Sequence, residues 1–244
     1  MSTGVVLDIE TNSLDATTIH CIIGKDIKSG KDYTFVQEEC YTKFPEWSKD
    51  IDKFYMHNGI SFDTRVINEL TDATIPFEKV VDTLILSQLF NPIRDNGHSL
   101  EAWGNRLGFQ KGQSPTDFTY YSEDMLHYCQ RDVDITRKLL SYLIGEGRDF
   151  SPQSIKLEHK IRSLVDEQEH NGFYFKEDKG MLLMNKFEDE AHQLNDDLQE
   201  IFKPIVTKRY HKTTRKPLKD SVEVFNPASR QQIAERLMVK GWKP

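Results

Sequence analysis

An acidic pair in the first apolar segment limits what this chain can fold into. The run from Val5 to Glu10 is apolar apart from Asp8 and Glu10. Side chains alternate between the two faces of a β-strand, so an extended run places both carboxylates on one face. Neighbouring carboxylates repel each other and lose hydration on burial, unless a divalent cation binds between them. The pair alone leaves two interpretations open, a metal site or a turn-initiating Asp beside a solvated Glu.

Two later motifs carry acids that could join the same site. Asp63 follows the apolar run 54–56 and opens a helical pattern, whereas Asp132 lies in an amphipathic segment over 122–144. Taken singly, Asp63 is an acid favoured in the first turn of a helix, and Asp132 is a solvated helix acid beside a packed Tyr128. Their joint order, on a strand, at a helix start and late in a helix, favours a single acidic site.

The three motifs resemble those of a known nuclease superfamily. They read Asp8-x-Glu10, Asn58-x-x-x-Phe62-Asp63 and Tyr128-x-x-x-Asp132. In this form they are similar to the exonuclease motifs of the DEDD superfamily of 3′-5′ nucleases, in its tyrosine branch. Segments at 82–87, 99–104, 171–173, 224–227 and 241–242 resemble the amino-terminal part of T7-like phage family A DNA polymerases. The resemblance covers nearly the whole chain and implies a proofreading 3′-5′ DNA exonuclease that works with a phage DNA polymerase polypeptide, in cis or in trans.

The pattern of apolar runs predicts an α/β domain followed by a mainly helical appendage. Strand-like runs at 5–9, 18–24, 31–36 and 54–56 precede or alternate with helical patterns at 61–70, 82–90, 99–107 and 122–144. This layout fits the ribonuclease H-like exonuclease fold, a mixed sheet flanked by helices, which the resemblance also implies.

We place a domain boundary near Pro152, between an exonuclease domain over 1–150 and a helical segment over 151–244. Helical patterns at 155–170, 176–202 and 228–240 flank a basic run over 203–219. The resemblance implies that this segment is the linker and the start of the thumb-side region of a polymerase. Palm and fingers sequence is absent, so nucleotide incorporation by this chain is not expected. The basic run is either a solvated loop or a DNA contact.

The resemblance also assigns roles to the motif residues. Asp8, Glu10 and Asp132 are expected to bind one Mg²⁺ or Mn²⁺ ion, with Asp8 bridging to a second ion whose waters Asp63 holds. Tyr128 is expected to orient the attacking water. The residues expected to hold the 3′ end of single-stranded DNA are Thr11, Leu14, Asn58 and Phe62. Leu14 and Phe62 could equally belong to the apolar core.

One position in the third motif is ambiguous. His127 stands five residues before Asp132, the spacing of the histidine branch of the same superfamily, and Tyr128 stands four residues before it. On a helix, a spacing of four places two side chains on one face, whereas a spacing of five rotates them apart. The helical geometry therefore favours Tyr128.

Charge and cysteine content bound the class of protein. Residues 1–150 hold 15 basic and 24 acidic side chains, a net charge of −9, and the remainder holds 17 and 15, a net charge of +2. An acidic nuclease domain implies weak intrinsic affinity for DNA. The three cysteines lack metal-type spacing, no apolar run is long enough to span a bilayer, and no signal-peptide pattern is present. We therefore expect a cytoplasmic protein without a membrane partner.

Two further functions remain open from the sequence. An RNA-trimming 3′-5′ exoribonuclease would share all three motifs. A catalytically silent module that docks on a polymerase is the other alternative, although the presence of Asp8, Glu10, Asp63 and Asp132 argues against lost activity.

Overall fold

The protein divides into two compact units. The computed structural model describes residues 4–110 and 112–243. The first unit ends at Gly172 and the second begins at Phe173.

A five-stranded mixed sheet forms the centre of the first unit, with strand order β3-β2-β1-β4-β5. The strands are β1 (Gly4–Thr11), β2 (Ile19–Asp26), β3 (Asp32–Val36), β4 (Lys53–Met56) and β5 (Val80–Asp82). Strand β1 pairs antiparallel with β2 and parallel with β4, which in turn pairs parallel with β5. Because parallel strands end at the same edge of a sheet, the chain segments that follow β1, β4 and β5 come together.

Helices flank this sheet. They are α1 (Glu39–Thr42), α2 (Phe44–Ser48), α3 (Asp63–Leu70), α4 (Thr83–Phe90), α5 (Leu100–Arg106), α6 (Glu123–Glu146) and α7 (Pro152–Asn171). Four of them begin at a side chain that accepts a hydrogen bond from a backbone N–H in the first turn, namely Asp82, Ser99, Ser122 and Ser151. Such caps satisfy one of the free N–H groups at a helix start and fix where the helix begins.

The two faces of β1 contribute to different cores. Val5, Leu7 and Ile9 pack in a core that includes Val66 and Ile67 of α3. Val6 packs on the opposite face with Cys129, Val133 and Leu140 of α6. Asp8 and Glu10 share the alternation of Val6, so the acidic pair lies on the α6 face.

Most predicted elements are present in the structure, with ends shifted by a few residues. The short elements β5, α1 and α2 were not predicted, because three to five residues carry too little periodicity to separate strand from helix. β5 matters for the site, since it ends at the buried Asp82.

The second unit contains two helices and a β-hairpin. Its elements are α8 (Glu177–Ile201), β6 (Ile205–Tyr210), β7 (Pro217–Glu223) and α9 (Arg230–Val239). Phe225 is buried, and its ring centroid lies 4.6 Å from that of Phe202. The basic run 203–219, for which a loop was one expectation, instead forms most of the hairpin β6–β7.

The compact first unit extends beyond the domain boundary predicted at residue 150. Helix α7 follows that boundary, yet it packs against α4 and belongs to the first unit. The functional division into 1–150 and 151–244 stays a prediction. Across the described residues, no helix combines the length and the apolar character needed to cross a bilayer.

Candidate active site

The three acidic motifs come from three elements that surround the carboxyl ends of β1 and β4. Asp8 and Glu10 lie on β1, Asp63 is the first residue of α3, and Asp132 lies within α6. Asp8 is half-buried, and Glu10, Asp63 and Asp132 are buried. Burial of this many carboxylates is costly unless cations or hydrogen-bond donors offset their charge.

Asp63 shows the effect of this crowding most directly. Burial, together with the nearby carboxylates of Asp82 and Asp132, raises the pKa of its carboxyl to about 7. Its own backbone N–H and that of Ile9 act in the opposite direction, since both donate to the carboxylate. Asp63 therefore lies beside β1 and close to Asp132, as the motif reading predicts, and a bound cation would favour its ionised form.

Cys129 is a member of this cluster that the sequence analysis missed. Ligand atoms of Asp8, Glu10 and Cys129 all lie within 4.8 Å of one another. The Cys129 thiol donates to the backbone carbonyl of Asp8 across 3.4 Å. Burial raises the pKa of this thiol well above its usual value, so the sulfur stays protonated. The position of Cys129 three residues before Asp132, on one helix face, was the available signal.

The donor set fits a hard divalent cation. Asp8 and Glu10 present carboxylate oxygens from one strand, within 4.8 Å of each other. Asp63 and Asp132 lie outside this 4.8 Å group among the described residues, although Asp132 is near enough to Asp63 to raise its pKa. Mg²⁺ and Mn²⁺ prefer oxygen ligands, whereas a protonated thiol is a poor ligand for either. We therefore regard Cys129 as packing beneath the site rather than as a ligand.

Asp82 organises the loop of the second motif, and the sequence analysis gave it no role in the site. Its carboxylate accepts the backbone N–H groups of Asn58 at 2.9 Å, Ile60 at 3.2 Å and Leu84 at 2.9 Å. Asn58 adopts a positive φ of 65°. The loop that leads to Asp63 is therefore held by hydrogen bonds to a single buried carboxylate.

His159 of α7 extends this network. The backbone N–H of Asp82 donates to His159 Nε2 at 2.9 Å, and His159 Nδ1 lies 2.7 Å from the carbonyl oxygen of Ile155. A carbonyl only accepts, so Nδ1 carries the proton and Nε2 is free to accept. His159 is buried and thus connects α7 to the end of β5.

Tyr128 and His127 have different surroundings. Tyr128 is half-buried and His127 is exposed. Tyr128 borders a cavity of about 400 Å³, together with Glu101, Asn105, Gln110, Gly112 and Ser114. The preference for Tyr128 over His127 and its role in orienting water stay predictions.

The predicted nucleotide-binding residues divide into exposed and buried ones. Leu14 is 85% exposed, and Asn58 is also exposed. Thr11 is buried, and its hydroxyl donates to the carbonyl of Ser13 at 2.8 Å. Phe62 is partly buried against the core around Leu7. Leu14 is therefore not a core residue, whereas Phe62 contributes to the core and still keeps an exposed part.

Comparison with known proteins shows similarity to phage DNA polymerases. The chain is 25% identical over 233 aligned residues to the DNA-directed DNA polymerase of Enterobacteria phage T3, covering 70% of this chain and 33% of the relative. The DNA-directed DNA polymerase of Escherichia phage T7 is 24% identical with the same coverage. The chain thus spans about a third of the length of these curated relatives. No protein-family model matches the chain.

Solved structures share the fold. Brucella melitensis NrnC matches with a TM-score of 0.56 and 19% identity, covering 70% of this chain and 87% of NrnC. NrnC bound to pGG gives a TM-score of 0.57 at 21% identity, and NrnC with bound Mg²⁺ gives 0.55 at 20%, both with the same coverage. The POL domain of Pol1 from M. smegmatis, in complex with DNA primer-template and dNTP, gives 0.54 at 13% identity, covering 98% of this chain and 42% of that one. The predicted ribonuclease H-like exonuclease fold is confirmed, as is the resemblance to the T7-like polymerases.

The raised pKa of Asp63 predicts a pH-dependent stability without divalent cations. A carboxyl whose folded-state pKa lies near 7 binds its proton more tightly in the folded protein than in the unfolded one, where the pKa is about 4. The stabilisation is present below about pH 4 and is lost as pH rises through about 7. In chelator, the urea midpoint of the wild type should fall from pH 5 to 8 more steeply than that of Asp63→Asn.

Saturating Mg²⁺ should reduce this difference between the two proteins, because the cation stabilises the ionised carboxylates. Asp15→Asn, at an exposed position, is the control and should follow the wild type. Parallel pH profiles for Asp63→Asn and the wild type would contradict the assignment of the raised pKa to Asp63.

Proposed function

We propose that this chain, a relative of the T7-like phage family A DNA polymerases, is a metal-dependent 3′-5′ exonuclease that removes 3′-terminal nucleotides from single-stranded DNA. The observation that carries the proposal is the pair of neighbouring carboxylates of Asp8 and Glu10 on β1, with Asp132 of α6 near enough to Asp63 of α3 to raise its pKa. Phosphodiester hydrolysis at such an oxygen-rich site is a reaction that divalent cations support.

Each acid has a proposed role. Asp8, Glu10 and Asp132 would hold one Mg²⁺ or Mn²⁺ ion, and Asp8 would contact a second ion whose waters Asp63 would hold. When bound, these ions polarise the scissile phosphate and increase the acidity of a water molecule. The raised pKa of Asp63 means that a nearby cation would favour its ionised form near neutral pH.

Neighbouring side chains complete the proposed reaction site. Tyr128, four residues before Asp132 on α6, orients the attacking water through its hydroxyl. Leu14, which is highly exposed, packs against the terminal base or sugar, and the exposed part of Phe62 supports the adjacent nucleotide. Asn58 and Thr11 hold the strand near the acids. Apolar packing on bases carries no sequence specificity, which suits an enzyme that trims any 3′ end.

RNA is the alternative substrate. The fold neighbour NrnC has been solved bound to pGG, which supports short oligonucleotides as ligands of this architecture. The acids and Tyr128 do not discriminate between the two substrates, because an RNA-trimming exonuclease of the superfamily would share all three motifs. DNA is the proposed substrate because the curated relatives are DNA-directed DNA polymerases.

A polymerase polypeptide is the proposed partner, in cis or in trans. Helix α8 exposes a series of large apolar side chains that includes Met181, Leu182, Leu183, Met184, Phe187 and Leu194. A helix with this much exposed apolar surface is typical of one that is covered by another polypeptide. The sequence similarity to polymerases identifies the kind of polypeptide.

Removal of the β1 acids should abolish hydrolysis. Asp8→Ala combined with Glu10→Ala should lower turnover on 5′-labelled single-stranded DNA by at least about 10²-fold, because ligands of the proposed ions are lost. Its urea midpoint in chelator should equal or exceed that of the wild type, since carboxylate repulsion is relieved. The control is Glu188→Ala with Asp189→Ala, an exposed acidic pair on α8.

The same assay identifies the substrate if RNA of matching sequence is digested in parallel, with and without Mg²⁺. Equal or faster digestion of RNA would move the enzyme to the ribonuclease alternative. Absence of hydrolysis by the wild type in Mg²⁺ and in Mn²⁺ would support a silent docking module, and activity in excess chelator would contradict metal dependence.

Substitutions in the third motif separate Tyr128 from His127. Tyr128→Phe removes one hydroxyl and should slow turnover by roughly 10- to 10³-fold, the range for loss of one positioned polar group. His127→Ala should be nearly neutral, because this side chain is exposed. Turnover of both variants should be measured from about pH 5.5 to 9 in saturating Mg²⁺, where an essential histidine would give an inflection near pH 6.5. Normal turnover in Tyr128→Phe with collapse in His127→Ala would reverse the assignment.

A further inference from the structure

We propose that the hairpin β6–β7 binds a single-stranded nucleic acid by its phosphate backbone. The choice of a nucleic acid as the ligand rests on the proposed function, whereas the binding surface itself is defined by the charge and geometry of the hairpin.

The hairpin concentrates positive charge in β6 and at its tip, whereas its two acidic residues, Asp220 and Glu223, lie further along β7. Residues 203–219 contain seven basic side chains and no acidic one. All residues from 203 to 219 are exposed. None of the seven cations forms an ion pair with a residue that the structure describes, in contrast to Lys25 and Arg94, which are paired with Asp134 and Glu146. The excess of positive charge in this segment attracts polyanions, such as nucleic acids, more strongly than uncharged surfaces.

Hydrogen bonds give the tip of the hairpin a defined shape. The N–H of His211 donates to the carbonyl of Lys216 at 2.9 Å, and the N–H of Arg215 donates to the carbonyl of His211 at 3.0 Å. His211 Nδ1 accepts the N–H groups of Thr213 and Thr214 at 3.3 and 3.2 Å. The turn is therefore closed by its own backbone, and the imidazole is used to hold the turn.

An aromatic ring lies among the cations. Arg209 pairs with Leu218 and Tyr210 pairs with Pro217 in the β6–β7 register. Arg209, Tyr210, His211, Lys212 and Leu218 border a concave surface of about 440 Å³, and the Tyr210 side chain is 55% exposed. Cations that bind phosphates beside a ring that stacks on a base are the combination by which proteins hold single strands.

The negative net charge of the predicted first domain is a reason for a separate basic surface to bind the nucleic acid. The predicted domain over 1–150 carries a net charge of −9, from 15 basic and 24 acidic residues, and so repels a phosphate backbone. Phosphate neutralisation supplies much of the affinity of proteins for nucleic acids. The hairpin supplies cations that this domain lacks.

The test is the salt dependence of binding by the full chain. Anisotropy of a labelled single-stranded oligonucleotide is measured in chelator, which prevents hydrolysis, over a range of NaCl concentrations. The hairpin variant carries Lys208→Gln, Arg209→Gln, Lys212→Gln and Arg215→Gln. The control variant removes the same charge at exposed lysines elsewhere, through Lys156→Gln, Lys160→Gln, Lys176→Gln and Lys179→Gln.

The hairpin variant should bind more weakly, and the slope of log affinity against log salt should fall by about 2 to 3, since each phosphate contact to a single strand contributes roughly 0.7. The control variant should keep the wild-type slope. Tyr210→Ala should weaken binding roughly 5- to 100-fold with an unchanged slope, because stacking is not ionic. Equal slopes and affinities in the hairpin and control variants, or binding of an acidic protein but of no nucleic acid, would overturn the inference.

Failure of the proposed nuclease function is distinguishable from this result. A wild type that binds through the hairpin but hydrolyses nothing would leave the binding surface intact and remove the nuclease. If the wild type hydrolyses the strand but the hairpin variant binds it as tightly as the wild type does, the nuclease function stands and the hairpin inference fails.

A second inference comes from the network around Asp82. We infer that His159 is a positioning residue for the loop that leads to Asp63, acting through Asp82; its effect on activity rests on the proposed function. The Asp82 side chain holds the N–H groups of Asn58 and Ile60, and its own N–H is held by His159. Loss of the His159 acceptor leaves a buried N–H unsatisfied and removes the contact that fixes the end of β5.

Two substitutions at His159 test this inference, because one retains a hydrogen-bond acceptor and the other removes it. His159→Gln keeps an acceptor on a flexible side chain, and His159→Leu keeps apolar volume without one. Leu143→Ala, in a different buried cluster on α6, is the control for loss of stability alone. Amide hydrogen exchange over residues 57–63 is compared with exchange over β2, and the Mg²⁺ concentration for half-maximal turnover is measured alongside.

His159→Leu should accelerate exchange over 57–63 by about tenfold or more while leaving β2 unchanged, which corresponds to about 1.4 kcal/mol of local stability. It should also raise the Mg²⁺ requirement severalfold, and His159→Gln should recover part of both effects. Wild-type exchange over 57–63 in His159→Leu, or equal changes in Leu143→Ala, would overturn the inference. The exchange measurement holds whether or not the protein hydrolyses nucleic acid.

Discussion

Repulsion among buried carboxylates is the constraint on which the rest of the site depends. The sheet alternation places Asp8 and Glu10 on one face, and α3 and α6 bring Asp63 and Asp132 towards them. Burial and neighbouring carboxylates raise the pKa of Asp63 to about 7. The apolar clusters on both sides of β1 must stabilise this arrangement when no cation is bound, since the acids themselves oppose it. A divalent cation bound among these acids would offset their repulsion.

Sequence periodicity predicted the long elements and the acidic motifs, because both depend on local spacing. The strand around Asp8, the start of α3 at Asp63 and the long helix that carries Asp132 each follow from alternation or from a three- to four-residue repeat. The partnership of Asp82 with His159 could not be predicted in this way, since 77 residues separate them and neither has a distinctive spacing. The hairpin β6–β7 was missed because its cations obscure the alternation of its strands.

The two units differ in how they are stabilised. The first has three buried apolar clusters around one sheet, which fix the positions of the acids. The second has Phe225 as a buried apolar side chain and leaves the large apolar residues of α8 exposed. Hydrophobic burial dominates folding stability, so apolar packing within the second unit stabilises it far less than the first. The placement of α7 in the first unit also means that a residue beyond 150, His159, forms a hydrogen bond with the end of β5.

The positive φ of Asn58 changes how this position should be interpreted in related sequences. Asparagine tolerates the left-handed region better than most residues, and here its N–H must point at Asp82. The backbone geometry therefore restricts which residues fit at this position, whatever the side-chain amide does. A related sequence with glycine here would preserve the loop while losing the amide, whereas a β-branched residue would strain the loop even with every acid in place. An asparagine at this position in a relative is consequently a sign of the same loop conformation and not by itself of a substrate contact.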